Sequence, residues 1–231
     1  MIGIIAAMQE ETDYLIEHMT EVEKITIGSL IFFKGKIKHV HVVLLKCGIG
    51  KVNAAMGAAL LIERFKPSHI INTGSAGGLD STAKIGDVVI STEVRHHDVD
   101  LTALGCEYGQ LLFLPAGFDP CLLLIAAATR AAEKMHISVK QGLIVSGDSF
   151  IHQDADIKKI KQNFPDVHAV EMEGAAIAQV CHQFKIPFVI IRALSDIAGK
   201  ESPLSFEQFL KQAGQNSAQL VLYTLENMEA G

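Results

Sequence analysis

The sequence predicts an α/β protein with a largely parallel central sheet. Short apolar runs rich in β-branched residues alternate along the chain with segments whose apolar residues recur every three or four positions. Polar or glycine-rich residues follow several of the strand-like runs. In α/β sheets such residues form ligand sites at the carboxyl ends of strands, so the same pattern predicts both a fold class and a place for a site.

Size and composition limit the class of protein. The chain has 231 residues, 49% of them hydrophobic and 20% charged, so we expect residues 1–231 to form a single domain with a sizeable core. A net charge of −6 without a basic tract argues against nucleic acid as a partner. No apolar run approaches the roughly 20 residues of a membrane span, and the apolar N-terminus lacks the basic flank of a signal peptide. The widely spaced cysteines indicate reduced, mostly buried thiols in a cytoplasmic protein, without a metal: Cys47, Cys106, Cys121 and Cys181.

The N-terminal elements contain the first candidate acid. Residues 2–6 are predicted to form a buried strand, and a helix begins at Gln9 with Glu11 in its first turn. An acid in a first turn stabilises the helix dipole by about 0.3–1 kcal/mol, which is a purely structural explanation of Glu11. Residues 30–35 and 39–46 are predicted to form a hairpin with its turn at 36–38.

Two glycine-rich segments are candidate binding turns. The sequence Gly-Ile-Gly-Lys at 48–51 fits neither a Walker loop nor a dinucleotide fingerprint. It precedes a predicted helix with one apolar face, formed by Val52, Ala55, Met56, Ala59 and Leu60. A strand at 69–73 is predicted to end in Gly-Ser-Ala-Gly-Gly at 74–78, where backbone N–H groups can approach an anion or a hydroxyl. An ordinary tight turn explains these glycines equally well.

The middle of the chain offers less chemistry. A strand at 87–94 is predicted to run into His96 and His97, which would face opposite sides and could not share a metal ion. Residues 101–117 are predicted to be irregular, and the apolar run at 111–114 is expected to pack against a partner.

The following helix is predicted to begin with Asp119 as N-cap and Pro120 at its first position, and to end near residue 135. A strand at 142–145 comes next, and then a helix through Ile157 and Ile160. An apolar strand at 187–194 is predicted to end in Ser195 and Asp196. The last helix is predicted to open with a capping box at residues 205–208, formed by Ser205 and Gln208.

Two carboxylates lie at a predicted strand-to-helix junction. The sequence Val-Glu-Met-Glu-Gly at 170–174 places Glu171 and Glu173 on one face if the strand continues through both. Like charges this close require a cationic or hydroxylic partner, which indicates a ligand. Two solvated surface acids are the alternative.

Position decides between these alternatives. Polar residues follow predicted strands at five places, at Glu11, 48–50, 75–78, 149–150 and 195–196. Ligands of open α/β sheets bind at the carboxyl ends of strands, so one site can collect all five together with the two acids of the 170–174 junction. This clustering favours a functional role for each acid.

Six motifs in combination resemble one family. They are Ala7-Met8-x-x-Glu11, Cys47-Gly48-Ile49-Gly50-Lys51, Asn72-Thr73-Gly74-Ser75-Ala76-Gly77-Gly78, Ser146-Gly147-Asp148-x-Phe150-Ile151, Val170-Glu171-Met172-Glu173 and Arg192-x-x-Ser195-Asp196. Over essentially its whole length the chain resembles the bacterial 5′-methylthioadenosine/S-adenosylhomocysteine nucleosidases of the purine nucleoside phosphorylase superfamily.

The resemblance implies a fold and an activity. The fold would be a three-layer α/β domain with a central mixed, partly barrel-like sheet flanked by helices. The enzyme would be a cytoplasmic homodimer that uses water to cleave adenine from a small nucleoside with a 5′-thio substituent, or from 5′-deoxyadenosine, as in methionine salvage. It would need neither a metal nor an organic cofactor, and would have no nucleic-acid or membrane partner.

The resemblance also implies residue roles. Asp196 would protonate purine N7, and Glu11 would activate the water. The other implied roles are ribose binding by Glu173 with Met172, stacking on adenine by Phe150, reading of the adenine edge by the Ile151 backbone, water placement by Ser75 and Arg192, and a 5′-alkylthio pocket formed by Met8, Ile49 and Phe206. Ala76, Gly77, Glu171 and Ser195 complete the expected substrate-binding set.

One part of the chain departs from the family pattern. In the family's dimer, a loop of the partner adds apolar residues to the 5′ pocket. The corresponding segment here runs from Leu101 to Leu114, and it offers Leu104 and Leu112 where an aromatic residue and a proline are expected. The apolar character of that wall is therefore kept, although its residues differ.

The chemistry agrees with the implied roles. Adenine is a poor leaving group as an anion, so an acid must face N7, and carboxylates stabilise the positive charge that develops on the ribose. A non-catalytic adenosine-binding module would need neither Asp196 nor Glu11. A phosphorylase on the same fold is the closer alternative, but phosphate binding favours several arginines, and only Arg192 lies on a strand that leads into the expected site. Lys46 and Lys51, which flank the first glycine turn, are the two further cations that a phosphate could use.

Overall fold

The computed structural model describes residues 1–200 and 202–228, without the side chains of residues 202–205. In chain order the elements are β1 (Ile2–Ala6), α1 (Gln9–Glu17), β2 (Met19–Ile27), β3 (Leu30–Ile37), β4 (Val40–Lys46), α2 (Lys51–Phe65), β5 (His69–Gly78), β6 (Val88–His96), α3 (Leu122–Met135), β7 (Val139–Ser146), α4 (Asp154–Asn163), β8 (Val167–Glu171), α5 (Gly174–Phe184), β9 (Phe188–Ile197) and α6 (Ser202–Asn227). One short 3₁₀ helix, Thr102–Leu104, interrupts the irregular segment before α3. The alternation confirms the predicted α/β class.

The strands form one mixed sheet that closes partly on itself. Their order is β2-β3-β4-β1-β5-β8-β7-β6-β9, and β9 also pairs with β5. Strands β5, β8, β7, β6 and β9 therefore make a closed ring, while β4, β3 and β2 extend outward from β1. The sheet contains parallel pairs such as β1–β5 and β5–β9 and antiparallel pairs such as β5–β8 and β6–β9. The mixed, partly barrel-like sheet is confirmed; the largely parallel sheet expected from alternation alone describes only part of it.

Helices cover both faces of this sheet and give three layers. On one face the core includes residues of α2 and α5, which pack against each other. On the other face the core includes residues of α1, α3 and α6. Within the described part of the chain, no helix has the length and apolar character needed to cross a membrane. The four cysteines are free; Cys47 and Cys181 are buried, whereas Cys106 and Cys121 are partly exposed.

The strands that enter the site are longer than predicted. The glycines after residue 73 continue β5 to Gly78, and Ser195 and Asp196 continue β9 to Ile197. The two strands stay paired throughout, with Gly74 opposite Arg192. A Cβ atom at Gly74 would lie only 2.3 Å from Arg192 Nη1, so the glycine leaves room for the guanidinium. A close approach between side chain and backbone, rather than a turn, explains this glycine.

Helix α2 packs with a different face from the predicted one. Its buried residues are Ala54, Gly57, Ala58, Leu61 and Ile62, whereas Val52 and Met56 of the predicted face are exposed. The helix lies close to β4, because a Cβ atom at Gly57 would be 2.7 Å from Leu45 Cδ2. The small residues Ala54, Gly57 and Ala58 permit this approach in the first half of the helix, where the larger Val52 and Met56 remain outside.

Strand β2 was not predicted. It is an edge strand whose residues are mostly exposed, and its apolar residues do not alternate regularly with polar ones, which is the pattern by which strands are recognised. The hairpin of β3 and β4 is confirmed, but its turn is shorter than 36–38, because β3 continues to Ile37 and β4 begins at Val40.

The starts of two helices differ from prediction. Helix α3 begins at Leu122 with Cys121 as its N-cap, two residues after the predicted start. Phe118 bridges to Val94 and the Cys121 N–H donates to Phe188 O (2.7 Å), which keeps this stretch extended. Helix α6 begins at Ser202, ahead of the predicted cap at Ser205, whose side chain lies outside the described residues.

Candidate active site

The ends of β1, β5, β8 and β9 surround one cavity of about 330 Å³, within the usual size range of a small-molecule site. It is lined by Ala7, Met8, Glu11, Ile49, Ser75, Ala76, Gly77, Phe150, Val170, Glu171, Met172, Glu173, Arg192, Ser195, Asp196 and Phe206. Every residue predicted for the site is in this set except Ile151, which lines a small adjoining space together with Phe150 and Asp196. Ala7 and Val170 were not predicted, although both lie within the recognised motifs.

Glu11 is buried and held by four donors from two elements. Its Oε2 accepts hydrogen bonds from the backbone N–H groups of Ala7 (2.9 Å) and Met8 (3.1 Å) at the start of α1. Its Oε1 accepts from the backbone N–H (3.0 Å) and the hydroxyl (3.2 Å) of Ser75 on β5. Oε2 caps the helix, and Oε1 bonds to Ser75 on β5. Glu11 therefore stabilises the start of α1 and also lines the cavity.

Asp196 is buried near the end of β9. The Ser195 hydroxyl donates to Asp196 Oδ1 over 3.0 Å and lies 3.4 Å from Ala76 O on the neighbouring strand. Gly77 faces Asp196 across the strand pair, and a Cβ atom there would lie 3.2 Å from Asp196 Oδ2. The glycine therefore leaves space beside the carboxyl group, on the cavity side of the strands.

A buried ion cluster lies beside these two acids. Arg192 Nη2 contacts Glu171 Oε2 (2.5 Å), Asn72 Oδ1 (2.7 Å) and Glu173 Oε2 (3.5 Å). Burial alone would lower the pKa of Arg192, but the neighbouring carboxylates, Glu171 first, raise it above its ordinary value. The guanidinium is therefore charged and already engaged by protein groups.

Glu171 and Glu173 do not lie on one strand face. β8 ends at Glu171, and Glu173 is the N-cap of α5, so the sequence turns between them. Glu171 accepts from the backbone N–H groups of Glu173 (3.0 Å) and Gly174 (2.9 Å), from Arg192 and from the Ser146 hydroxyl. Protein donors thus occupy both of its oxygens.

Glu173 has more capacity for a ligand. Its Oε1 accepts from the Gly50 backbone N–H (2.9 Å) at the start of α2, and its Oε2 lies at the edge of the Arg192 contact range. Burial, and then the neighbouring Glu171 carboxylate, raise the pKa of Glu173 to about 8 against the opposing effect of Arg192. Glu173 is therefore the carboxyl group in this cluster that readily holds a proton near neutral pH.

The cavity has a polar end and an apolar end. The carboxyl groups and Arg192 are almost fully buried, whereas Ile49 and Phe150 are 50% and 40% exposed. The Phe150 and Phe206 rings meet edge to face with their centroids 5.4 Å apart. Aromatic and aliphatic side chains thus form an open apolar mouth over a buried acidic floor.

Few cations face the cavity. Among the described residues, Arg192 is the only cation in its lining. Lys46 Nζ donates to Gln9 Oε1 (2.9 Å), and Lys51 Nζ to Asp98 Oδ1 (2.5 Å), so the two lysines beside the glycine turn are directed to other partners. The described residues also contain no group of His, Cys, Asp and Glu side chains arranged to hold a metal ion.

Several supporting residues were missed by the sequence analysis. Asn72 orients Arg192, and the Ser146 hydroxyl contacts Glu171 and accepts from the Ala175 N–H (2.7 Å). Ser217 of α6 accepts from the Gly74 N–H (3.1 Å) and so fixes that helix to β5. Asn72 and Ser146 belong to recognised motifs and could have been found there. Ser217 lies in an unremarkable amphipathic helix, so nothing in the sequence singled it out.

Comparisons with known proteins agree over the whole chain. The family model of the phosphorylase superfamily matches residues 1–226. The 5′-methylthioadenosine/S-adenosylhomocysteine nucleosidase of Anoxybacillus flavithermus is 55% identical over 221 residues, 95% of each chain.

Two solved structures have the same fold. The nucleosidase of that name from Neisseria meningitidis, in complex with methylthio-immucillin-A, has a TM-score of 0.96 and 48% identity over 97% of this chain and 98% of its own. The one from Colwellia psychrerythraea, in complex with adenine, has a TM-score of 0.96 and 50% identity over 98% of this chain and 95% of its own. With identity this high across nearly all of both sequences, the chain belongs to the 5′-methylthioadenosine/S-adenosylhomocysteine nucleosidase family of the phosphorylase superfamily.

Proposed function

We propose that the protein hydrolyses the N-glycosidic bond of 5′-methylthioadenosine and S-adenosylhomocysteine, releasing adenine and a 5-thio-substituted ribose. One observation carries the proposal: Asp196 and Glu11 line the same buried cavity with a single arginine. The names of its relatives give the same two substrates. Cleavage of a glycosidic bond needs an acid at the leaving group and a base at the water, and the two carboxyl groups supply this pair.

Asp196 is the proposed acid. Adenine leaves as a neutral base once N7 is protonated, so a carboxyl group must face that nitrogen. Asp196 lines the main cavity together with Phe150, so a purine stacked on that ring would present N7 to the carboxyl group. The Ser195 hydroxyl, 3.0 Å from Asp196 Oδ1, orients the acid.

Glu11 is the proposed base. Its Oε2 accepts hydrogen bonds at the start of α1. Its Oε1 accepts from the Ser75 N–H and hydroxyl, and the residue lines the cavity. A water bound between Glu11 and Ser75 would attack the anomeric carbon on the face of the ribose opposite adenine. Proton transfer to Glu11 would leave a hydroxide-like nucleophile.

Glu173 is the proposed ribose ligand, with Met172 beside it. Its carboxyl oxygens accept hydrogen bonds from the vicinal ribose hydroxyls, and in its ionised form the group stabilises the positive charge that develops on the ribose. Glu171, with its oxygens occupied, is better suited to fixing Arg192 and the 171–174 turn than to binding substrate directly. Phe150 would stack on adenine, and Met8, Ile49 and Phe206 would surround the 5′-thio group.

The electrostatics favour water over phosphate. Phosphate binding commonly uses several cationic donors. The described lining offers Arg192 alone, and that cation is already paired with Glu171. An acidic cavity repels a phosphate dianion and suits a water held by a carboxylate, so the phosphorylase alternative is disfavoured.

We also propose that the enzyme works as a cytoplasmic homodimer of a single-domain chain. Residues 101–114 expose Leu104 (63%), Leu112 and Phe113 (95%), and Phe113 has a left-handed backbone (φ 66°), which is uncommon for a bulky residue. No residue of this segment lines the cavity of its own chain. In a dimer, this apolar loop of each chain would be covered by the other chain and would lie at the open 5′ end of that chain's cavity. The free cysteines suit the reducing cytoplasm.

The activity is tested by the product and by its phosphate dependence. Incubation with 5′-methylthioadenosine in phosphate-free buffer should release adenine and free 5-methylthioribose, measured by chromatography and mass spectrometry. Millimolar phosphate should leave the rate unchanged, because the acidic cavity does not bind it. A phosphate-dependent rate that yields the sugar 1-phosphate would show a phosphorylase, and no adenine release would sink the proposal.

Replacing the acid tests the role of Asp196. Asp196→Asn should lower kcat by about 10²–10⁴-fold, because an amide cannot deliver the proton to N7, while adenine binding stays measurable. Asp87→Asn is the matched control, since Asp87 is also buried but outside the cavity, and should leave kcat within about threefold. An Asp196→Asn enzyme with more than about a tenth of wild-type kcat would assign the acid elsewhere.

The raised pKa of Glu173 predicts a pH dependence of stability. The folded state holds this proton more tightly than the unfolded chain, whose glutamates have pKa values near 4.5. The stabilisation is complete below pH 4.5 and is lost as the pH rises through about 8. Urea unfolding between pH 5 and 9 should therefore show Glu173→Gln gaining stability relative to wild type as pH rises. A constant difference across that range would contradict the raised pKa.

The proposed dimer is tested at its apolar loop. Leu112→Asp should weaken association, because it places a charge in a desolvated interface, and should raise KM for 5′-methylthioadenosine. Val22→Asp, at a similarly exposed residue on β2, should change neither. Sedimentation equilibrium and steady-state kinetics measure both quantities. A monomeric wild-type protein with full activity at the assay concentration would rule out a required dimer.

A further inference from the structure

The loop that carries Phe150 has little burial to hold it in place. We call residues 147–150, between β7 and α4, the base loop. Asp148, Ser149 and Phe150 are exposed, while Ser146 and Ile151 on either side are buried. Exposed segments with few buried contacts are the least stable parts of a fold. The position of the Phe150 ring therefore depends on its edge contact with Phe206 and on the polar contacts that the loop makes.

Asp98, which follows β6, ties the base loop to helix α2. Its Oδ2 accepts from the Asp148 backbone N–H (3.0 Å), and its Oδ1 accepts from Lys51 Nζ (2.5 Å). The Asp148 carboxylate in turn accepts from the Lys51 backbone N–H (2.7 Å). The three residues form a closed cycle of hydrogen bonds between three segments of chain. Among the side-chain hydrogen bonds of the described residues, those of this cycle alone join the base loop to other segments.

Packing and charge both favour a fixed geometry for the hydrogen-bond cycle of Asp98, Lys51 and Asp148. A Cβ atom at Gly147 would lie 2.4 Å from His97 Nε2 and 3.1 Å from Asp98 Cγ, so the loop lies directly on this segment. The Lys51 and Asp98 side chains are only 18% and 29% exposed. Burial alone would raise the pKa of Asp98, but the bonds from Lys51 and Asp148 hold it below its ordinary value. The cycle therefore consists of charge-assisted bonds, which are stronger than neutral ones.

We propose that Asp98 is a positioning residue for base recognition, which holds the Phe150 ring in place through Lys51 and Asp148. The inference rests on the proposed function, in which Phe150 stacks on adenine. The ribose side has a separate anchor, because Gly50 N–H donates to Glu173 directly (2.9 Å) and α2 is fixed by its own packing. Loss of the Asp98 carboxylate should therefore weaken base binding and spare sugar binding.

The two products separate these effects. Dissociation constants for adenine and for 5-methylthioribose are measured by calorimetry on wild type and on Asp98→Ala. Adenine should bind about tenfold more weakly to the variant, because the loop loses its bond to Asp98 and Lys51 loses its ion pair, while 5-methylthioribose affinity changes less than about twofold. Lys51→Arg, which keeps a cation for Asp98, should retain most of the adenine affinity. In kinetics the loss should fall on KM for 5′-methylthioadenosine more than on kcat.

Asp80→Ala is the matched control. Asp80 also pairs with a lysine, Lys140, at 3.0 Å and similar exposure, and it does not line the cavity. It should lower stability without changing adenine affinity. Equal weakening of both products by Asp98→Ala, or an unchanged adenine affinity, would overturn the proposal.

If Asp98→Ala fails to fold, Asp98→Asn decides by the same measurements, since it keeps the side-chain volume and removes the charge on which the bonds to Lys51 and Asp148 depend. Hydrolysis by the wild-type protein tests the proposed function independently. An active enzyme whose variants bind adenine normally would therefore contradict only the role of Asp98.

Discussion

The buried guanidinium of Arg192 is the constraint on which the rest of the site depends. An unpaired ion at this depth would cost several kcal/mol, so its surroundings must neutralise it. Glu171 from β8 and Asn72 from β5 bind it directly, and Arg192 itself lies on β9. The ion pair therefore forms only when β8 and β9 lie on either side of β5. Removing Glu171 would leave an uncompensated charge, typically about 3–5 kcal/mol, and would loosen the turn that carries Glu173.

Much of the site could be predicted because its residues are placed by local rules. Glu11, Ser75 and Asp196 each lie near the end of a strand-like run, and strand ends in this fold class meet at one edge. The closure of the ring could not be predicted in this way, since the pairing of β5 with β9 joins segments more than 100 residues apart. The packing face of α2 could not be predicted from its composition, because both of its faces contain apolar residues. The close approach to β4 selects the face that contains Ala54, Gly57 and Ala58.

That choice of face helps to explain what the chain exposes. With small residues turned to the sheet, Val52 and Met56 of α2 remain outside, and Leu122 at the start of α3 is 80% exposed. The loop at 101–114 exposes further apolar side chains, Leu104, Leu112 and Phe113. Sequence periodicity cannot separate a face that packs within the chain from one that packs on a second copy. The exposed apolar residues of α2 are therefore consistent both with the wrongly predicted packing face and with the proposed dimer.

Glu11 shows why structural and functional explanations of a residue need not compete. A carboxylate has two oxygens, and here Oε2 satisfies N–H groups at the start of α1 while Oε1 joins Ser75 at the cavity. Capping fixes the side chain in one orientation when the protein folds, so no side-chain entropy is lost during the reaction, which is the preorganisation that a catalytic base requires. A sequence rule that assigns Glu11 to the helix dipole is therefore correct and incomplete. The same bond that stabilises the helix directs the second oxygen to the place where a water would be activated.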